Sequence, residues 1–353
     1  MEFLLSEDHR MMDDAVRRVL ADACPPAALR ASGGAADAAR WSQVVDLGVL
    51  GALVPEDQGG LGLDAVTLTL LATACGAHAL PEPVAECAAV TLPVLAALAA
   101  DGSQEASMWL AAVLAGEGRV ALVPQAGDAV IMAADADAFL MAEAEGWVMR
   151  RPDTVAVTPV AGLDPARAFA TVRPTGEGVF LGMLTSRAAA RMTALTDLSI
   201  AAELQGVAQA MLDMAVEYAG VRQQFGRPIG TFQAVQHQLA DVFVALEFVH
   251  PVLMRAAWAV DHALEMAAIH AAHARVAATE AALKAGQTAI QVHGAMGYTY
   301  ETDLHFWMKR AWHLAETRGG RIACERRIFD HLLTRAPQGT PDRFHPAGAD
   351  AQP

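Results

Sequence analysis

The stretch from residue 187 to residue 336 contains very few helix breakers, and this restricts the fold more than any other feature of the sequence. Apolar side chains recur at near-helical spacing through Leu195, Leu198, Ala202, Leu204, Val207, Met211, Met214 and Tyr218, the mark of one buried helix face. Gly226, Pro228 and Gly230 interrupt the pattern. It resumes at Thr231 and continues past Trp258, with a kink expected at Pro251. A third run covers about Leu264 to Val292. Long helices joined by short breaks pack antiparallel, so 187–336 is predicted to form a four-helix bundle.

The rest of the chain divides into two further parts and a tail. Residues 1–117 read as a helical domain. Ser6 is placed to cap a first helix through Met11, Val16 and Leu20, with Glu7 and Asp8 at its positive end, and Pro25-Pro26 stops it. A second helix carries Trp41, Val44, Val45 and Leu47, and Asp64 caps another that contains Leu68, Leu70, Leu71 and Ala74. Between these two, Gly59, Gly60 and Gly62 lie in a loop that no strand precedes, which favours a structural turn over a phosphate cradle. Residues 118–186 break into short apolar runs separated by Gly, Asp or Pro: Arg119–Val123, Ala129–Ala133, Ala138–Met141, Trp147–Arg150, Thr154–Val160, Ala168–Val172 and Gly178–Leu181. That spacing predicts a small antiparallel β domain. Pro, Gly, Asp and Ala dominate 337–353, which is expected to be a flexible tail. The predicted fold class is therefore mainly α: helical domain, small β domain, helical bundle.

Composition removes several functions. A formal net charge of -15 argues against general nucleic-acid binding, which needs a basic surface. It leaves room for a phosphate-bearing cofactor held by a few Arg residues and helix N-termini. Cys24, Cys75, Cys87 and Cys324 are widely spaced with no CxxC pair. A zinc knot or redox dithiol is not expected, and a reduced, cytoplasmic setting with buried thiols fits. Met1 to Leu5 do not read as a secretion signal, and none is expected. Pro93 breaks the apolar run Ala88–Ala100, and charged and His residues break Val260–Ala282, so no membrane span is expected. His237, His250, His262, His270 and His273 fall on predicted helices without a carboxylate triad. They read as surface or packing residues, and no metal site is expected.

Three blocks carry more chemistry. The first is Arg222-Gln223-Gln224-Phe225-Gly226-Arg227-Pro228-Ile229-Gly230-Thr231-Phe232-Gln233, continuing to Leu239-Ala240-Asp241. Arg222 stands at a helix end beside a Gly-Pro turn, where a guanidinium can clamp a pyrophosphate bidentately or simply cap the helix. Phe225 can face a ring or the core, and Gln233 can bond a ligand or water. The second block is Gln291-Val292-His293-Gly294-Ala295-Met296-Gly297-Tyr298-Thr299, in which Gly294 and Gly297 admit close backbone approach. The third is Val54-Pro55-Glu56-Asp57-Gln58-Gly59-Gly60-Leu61-Gly62.

In their order along the chain, and across most of it, these blocks resemble the acyl-CoA dehydrogenase family. The resemblance implies an FAD enzyme that removes the α-proton of an acyl-CoA with a carboxylate while the β-hydrogen leaves as hydride to flavin N5. It implies that Arg222, Phe225, Gln233, Gln291 and Gly294 contact FAD, largely across a subunit interface, in a dimer or more commonly a homo- or heterotetramer. It also implies an electron-transfer flavoprotein as the electron acceptor. The segment Gly297 to His305 resembles small bacterial subunits that act on bulky acyl-CoAs such as steroid side chains.

The chain departs from the family where the base should be. Counting from Gln291 places Arg318, followed by Gly319-Gly320, in the commoner glutamate position. Counting back from Arg222 places Thr196 in the rarer one. Asp197 is then the candidate base, with a first-turn helix acid as its plain alternative. Glu316 or Glu301 is a further candidate if the alignment shifts. Otherwise the chain is a non-catalytic partner that completes the FAD site of a heteromeric dehydrogenase. The β domain is also reduced: Val123-Pro124-Gln125-Ala126-Gly127 is a remnant of the family's flavin-side strand.

Overall fold

The computed structural model describes residues 4–33 and 35–335. Ser6 caps α1 (Glu7–Ala23) by accepting from His9 N, and the His9 side chain bonds back to Ser6 N. After α2 (Pro26–Ser32) and α3 (Ala38–Asp46), the glycine-rich loop turns on itself. A Cβ at Gly60 would stand 2.2 Å from Val54 O, so the loop closes tightly on itself at that glycine. Asp64 caps α4 (Ala65–Ala77) through Thr67 N. Next comes one apolar rod made of α5 (Val84–Glu86), a π-helical turn (Cys87–Thr91) and α6 (Leu92–Ala100), followed by α7 (Gln104–Leu114).

All seven expected strands form: β1 (Val120–Val123), β2 (Ala129–Ile131), β3 (Ala138–Glu143), β4 (Gly146–Arg150), β5 (Val155–Val160), β6 (Phe169–Pro174) and β7 (Val179–Gly182). They make two sheets, ordered β1-β3-β4-β7 and β2-β6-β5. The expected all-antiparallel unit is corrected at one pair. β1 and β3 run parallel, with Val120 opposite Ala138, because β2 between them leaves for the other sheet and the crossover returns the chain in its original direction. Val123, Phe139, Met141, Val130 and Val172 fill the space between the sheets.

The bundle opens with α8 (Ser186–Val221), 36 residues long. A short hairpin, β8 (Gln223–Gln224) and β9 (Arg227–Pro228), turns the chain into α9 (Gln233–His262). α10 (Leu264–His293), α11 (Leu304–Glu316) and α12 (Gly320–Arg335) follow. Ala267, Ala271, Ala274, Ala278, Ala282, Ala285 and Ala289 are buried along α10; small side chains let it pack closely on α8 and α9. α8 also crosses α4 at two glycines. A Cβ on Gly206 would meet Thr73 O at 1.9 Å, and one on Gly76 would meet Glu203 O at 2.0 Å. This contact fixes the bundle against the N-terminal helices. Helix α9 continues across Pro251. By length and composition α9 could cross a membrane, with 44% of its most apolar window buried; here its inner face packs on α8 and α10. The tail expected at 337–353 lies outside the described residues.

Candidate functional site

The two blocks read as cofactor-binding meet at one end of the bundle. Antiparallel packing brings together the C-terminus of α8, the N-terminus of α9 and the C-terminus of α10. The Tyr218 and His293 rings stack at 4.4 Å and join the two C-termini. Arg222 is the C-cap of α8, its N–H donating to Tyr218 O, and Ile229 N donates to Arg222 O. The hairpin then reverses through Phe225 (φ 53) and Gly226 (φ 78). A left-handed phenylalanine is strained, and its ring is 92% exposed. Phe225 meets Phe232 edge-on at 6.1 Å, and the Arg227 guanidinium lies 4.3 Å above the Phe232 ring. Gln233 begins α9, and Gly294 (φ 60) ends α10 beside Gln291. Arg222, Phe225, Gln233, Gln291 and Gly294 are all exposed. Among the described residues the side chains of Arg222, Gln233 and Gln291 make no hydrogen bond to protein.

A second, interior region contains the two positions where the base was sought. An inner cavity of ≈ 50 Å3 is lined by Thr196, Ser199, Glu203, Arg167, His313 and Arg318 among others. An outer cavity of ≈ 280 Å3 reaches the Pro124 strand remnant. Glu86, Ile131, His313, Thr317 and Arg318 belong to both and form the wall between them. Arg318 sits in a left-handed turn (φ 52) continued by Gly319 and Gly320, and its Nη2 donates to Glu86 Oε1 at 3.0 Å. Thr196 turns its hydroxyl to Met192 O at 2.8 Å.

Asp197, the sequence candidate for the base, belongs to a different environment. It is buried, accepts from Arg275 Nη1 at 2.7 Å, and accepts from Arg327 through its other oxygen. A carboxylate with both oxygens bound to guanidiniums ties α8 to α10 and α12, and Asp197 lines neither cavity. Glu301 and Glu316 are exposed and line neither cavity.

The sequence reading missed a buried ion network beside the inner cavity. Arg310, fully buried on α11, donates to Asp164 at 2.5 Å, to Leu80 O at 2.8 Å and to Glu203 at 3.3 Å. Arg167 also donates to Glu203. Burial opposes charge on Asp164, but Arg310 overrides it and holds the carboxyl below its usual range. Burial, with Arg167 nearby, pushes His313 down to about 4, so the imidazole is neutral at pH 7. The one signal in the sequence was Arg310 itself, a cation on the apolar stripe formed by Phe306, Trp307 and Leu314.

Comparison with known proteins agrees with this layout. The family profile described as acyl-CoA dehydrogenase, N-terminal domain, matches residues 6–117, and that described as acyl-CoA dehydrogenase, C-terminal domain, matches residues 187–330. The chain is 31% identical over 312 residues to acyl-CoA dehydrogenase IpdE2 of Mycobacterium tuberculosis, covering 86% of this chain and 91% of that protein. It is 32% identical over 318 residues to acyl-CoA dehydrogenase FadE34 of the same organism, covering 86% of this chain and 43% of that protein. A chain in the crystal structure of the ChsE4-ChsE5 complex from M. tuberculosis superimposes with a TM-score of 0.84 at 25% identity, covering 96% of this chain and 100% of that one.

Proposed function

The chain belongs to the acyl-CoA dehydrogenase family, and on that premise we propose that it works in the FAD-dependent α,β-dehydrogenation of an acyl-CoA thioester. The observation that carries this reading is the convergence of Arg222, Phe225, Gln233, Gln291 and Gly294 on one open rim, with a guanidinium and two amides free of protein partners. The donor set suits FAD. Arg222 would clamp the diphosphate bidentately. Gln233 and Gln291 offer amide donors and acceptors, and Gly294 lets backbone approach the dinucleotide. Phe225 offers an apolar face. FAD, when bound, supplies the acceptor for the β-hydrogen. The rim is open rather than a closed pocket, so the nucleotide is shared with a neighbouring subunit of a dimer or tetramer. Electrons then pass to an electron-transfer flavoprotein.

One observation favours a second reading, in which the chain is the non-catalytic partner that completes the FAD site of a heteromeric dehydrogenase. Removal of an α-proton needs a carboxylate free to accept it. Counting without gaps puts Thr196 and Arg318 at the two base positions, and the carboxylates of the inner cavity, Glu86 and Glu203, are each paired with a guanidinium, as is Asp197. The likeness to a chain of the ChsE4-ChsE5 complex also supports this reading.

The flavin-to-chain ratio of protein produced alone, read from its absorption spectrum, separates the two. Fully flavinated protein that bleaches anaerobically with an acyl-CoA supports the first reading and removes the second. Colourless protein that gains half-stoichiometric flavin when co-expressed with a sister chain supports the second. Failure to bind flavin under either condition sinks both.

A further inference from the structure

At the end of the bundle away from Arg222, helices α9, α10 and α12 surround an open cavity of ≈ 540 Å3. Four of its side chains are cationic or can become so: Arg255 from α9, His270 and His273 from α10, and His331 from α12. The rest of the wall is apolar, including Val252 and Ile269, and no carboxylate lines it. In a chain with 40 acidic and 25 basic residues, a pocket with cations and no counter-charge stands out. Arg255 Nη2 lies 3.4 Å from His270 Nε2, and among the described residues Arg255 has no ion-pair partner. No group of three or more His, Cys, Asp or Glu among the described residues is arranged to hold a metal ion.

We propose that this cavity binds a small molecule through an oxyanion, a phosphate or carboxylate group, while its body rests against Val252 and Ile269. Arg255 and His273 are exposed and His270 is half-buried, and a guanidinium beside an imidazole nitrogen favours the neutral imidazole. Burial, then Arg255, His273 and His331, hold His270 below its ordinary value, and burial with Arg255 does the same to His273. An oxyanion set among them reverses the preference: it accepts from Arg255 and stabilises protonated imidazoles. The cavity volume falls in the range of small-molecule sites. The site is separate from the flavin rim, so it does not depend on the function proposed above.

Isothermal titration of the full chain, in the assembly it forms, with sulfate and with octanoate tests this; both probes keep a constant charge between pH 6 and pH 8. Saturable binding should be at least about tenfold tighter at pH 6 than at pH 8, because a histidine must take up a proton. Proton uptake should appear as a dependence of the heat on buffer ionisation. Arg255→Gln and the double variant His270→Gln/His273→Gln should each weaken binding by about tenfold or more, with melting temperature as the control for folding. Tighter sulfate binding assigns a phosphate group; tighter octanoate binding assigns a carboxylate on an apolar body. The proposal is overturned if neither probe binds at pH 6, if affinity is the same at both pH values, or if both variants bind as the parent does. Chelator-reversible zinc binding that excludes sulfate would overturn it as well.

Discussion

The exposed rim at the α8–α9 turn and the interior cavity use the same residue types in opposite ways. On the rim, Arg222 and two glutamines are exposed and, among the described residues, unpaired. In the interior, Arg310, Arg167 and Arg275 are buried, and each meets a carboxylate. The difference separates contacts that hold the fold from contacts kept open for something else. An unpaired surface guanidinium has a small stability cost because water solvates it. A buried one is tolerated only with its partner in place. Substitutions in the two regions should therefore part company: interior changes should unfold the protein, and rim changes should leave it folded but unable to hold its ligand.

The largest effect is expected at the centre of the interior network. Arg310→Met removes the cation hydrogen-bonded to Asp164 and leaves buried carbonyls at Leu80 and Ala79 without their donors. Loss of one partner from a buried pair costs about 3–5 kcal/mol, readable as a fall in denaturation midpoint. A shift below about 1 kcal/mol would mean that the network is not structural. Asp197→Asn comes next. It should destabilise by about 1.5–3 kcal/mol, the worth of hydrogen bonds to a charged group, while any turnover keeps its pH profile. Abolished turnover with unchanged stability would restore Asp197 as the base.

A pH-dependent effect of comparable size belongs to His313. Its folded value of about 4 lies below the ordinary 6.5, so between those values the unfolded chain binds the proton more readily. Stability should fall as pH drops from 6.5 toward 4, by up to about 3 kcal/mol, because each pH unit across that window is worth about 1.4 kcal/mol. His313→Gln should flatten that part of the curve; an unchanged slope in the variant would assign the effect elsewhere.

What could be read in the sequence follows from the range of the forces involved. Helix α8 and the strand positions depend on local periodicity and turn residues, so Leu195 through Tyr218 and all seven strands were legible. Strand partners were not, since nothing local distinguishes a parallel β1–β3 pair from an antiparallel one. The rim was visible because Arg222 to Gln233 is nearly contiguous and Gln291-Gly294 forms a compact second block. The interior network was hidden because its partners are remote: Asp164 and Arg310 are 146 residues apart, and Asp197 and Arg275 are 78 apart. The pairing of Asp197 with Arg275 and Arg327 was hidden for the same reason.

The smallest expected change in stability comes from Arg222→Ala, and it sharpens the contrast most. The side chain is exposed and unpaired, and the helix keeps its backbone cap from Arg222 N to Tyr218 O, so the denaturation midpoint should stay within about 0.5 kcal/mol of the parent. Flavin content in the assembled protein should nevertheless collapse, since the Arg222 guanidinium at the end of α8 is proposed to clamp the diphosphate. Arg222→Lys should restore only part of it, because an ammonium cannot reproduce the bidentate fork. Normal flavin content in Arg222→Ala would place the diphosphate elsewhere, and a large loss of stability would place Arg222 among the contacts that hold the fold.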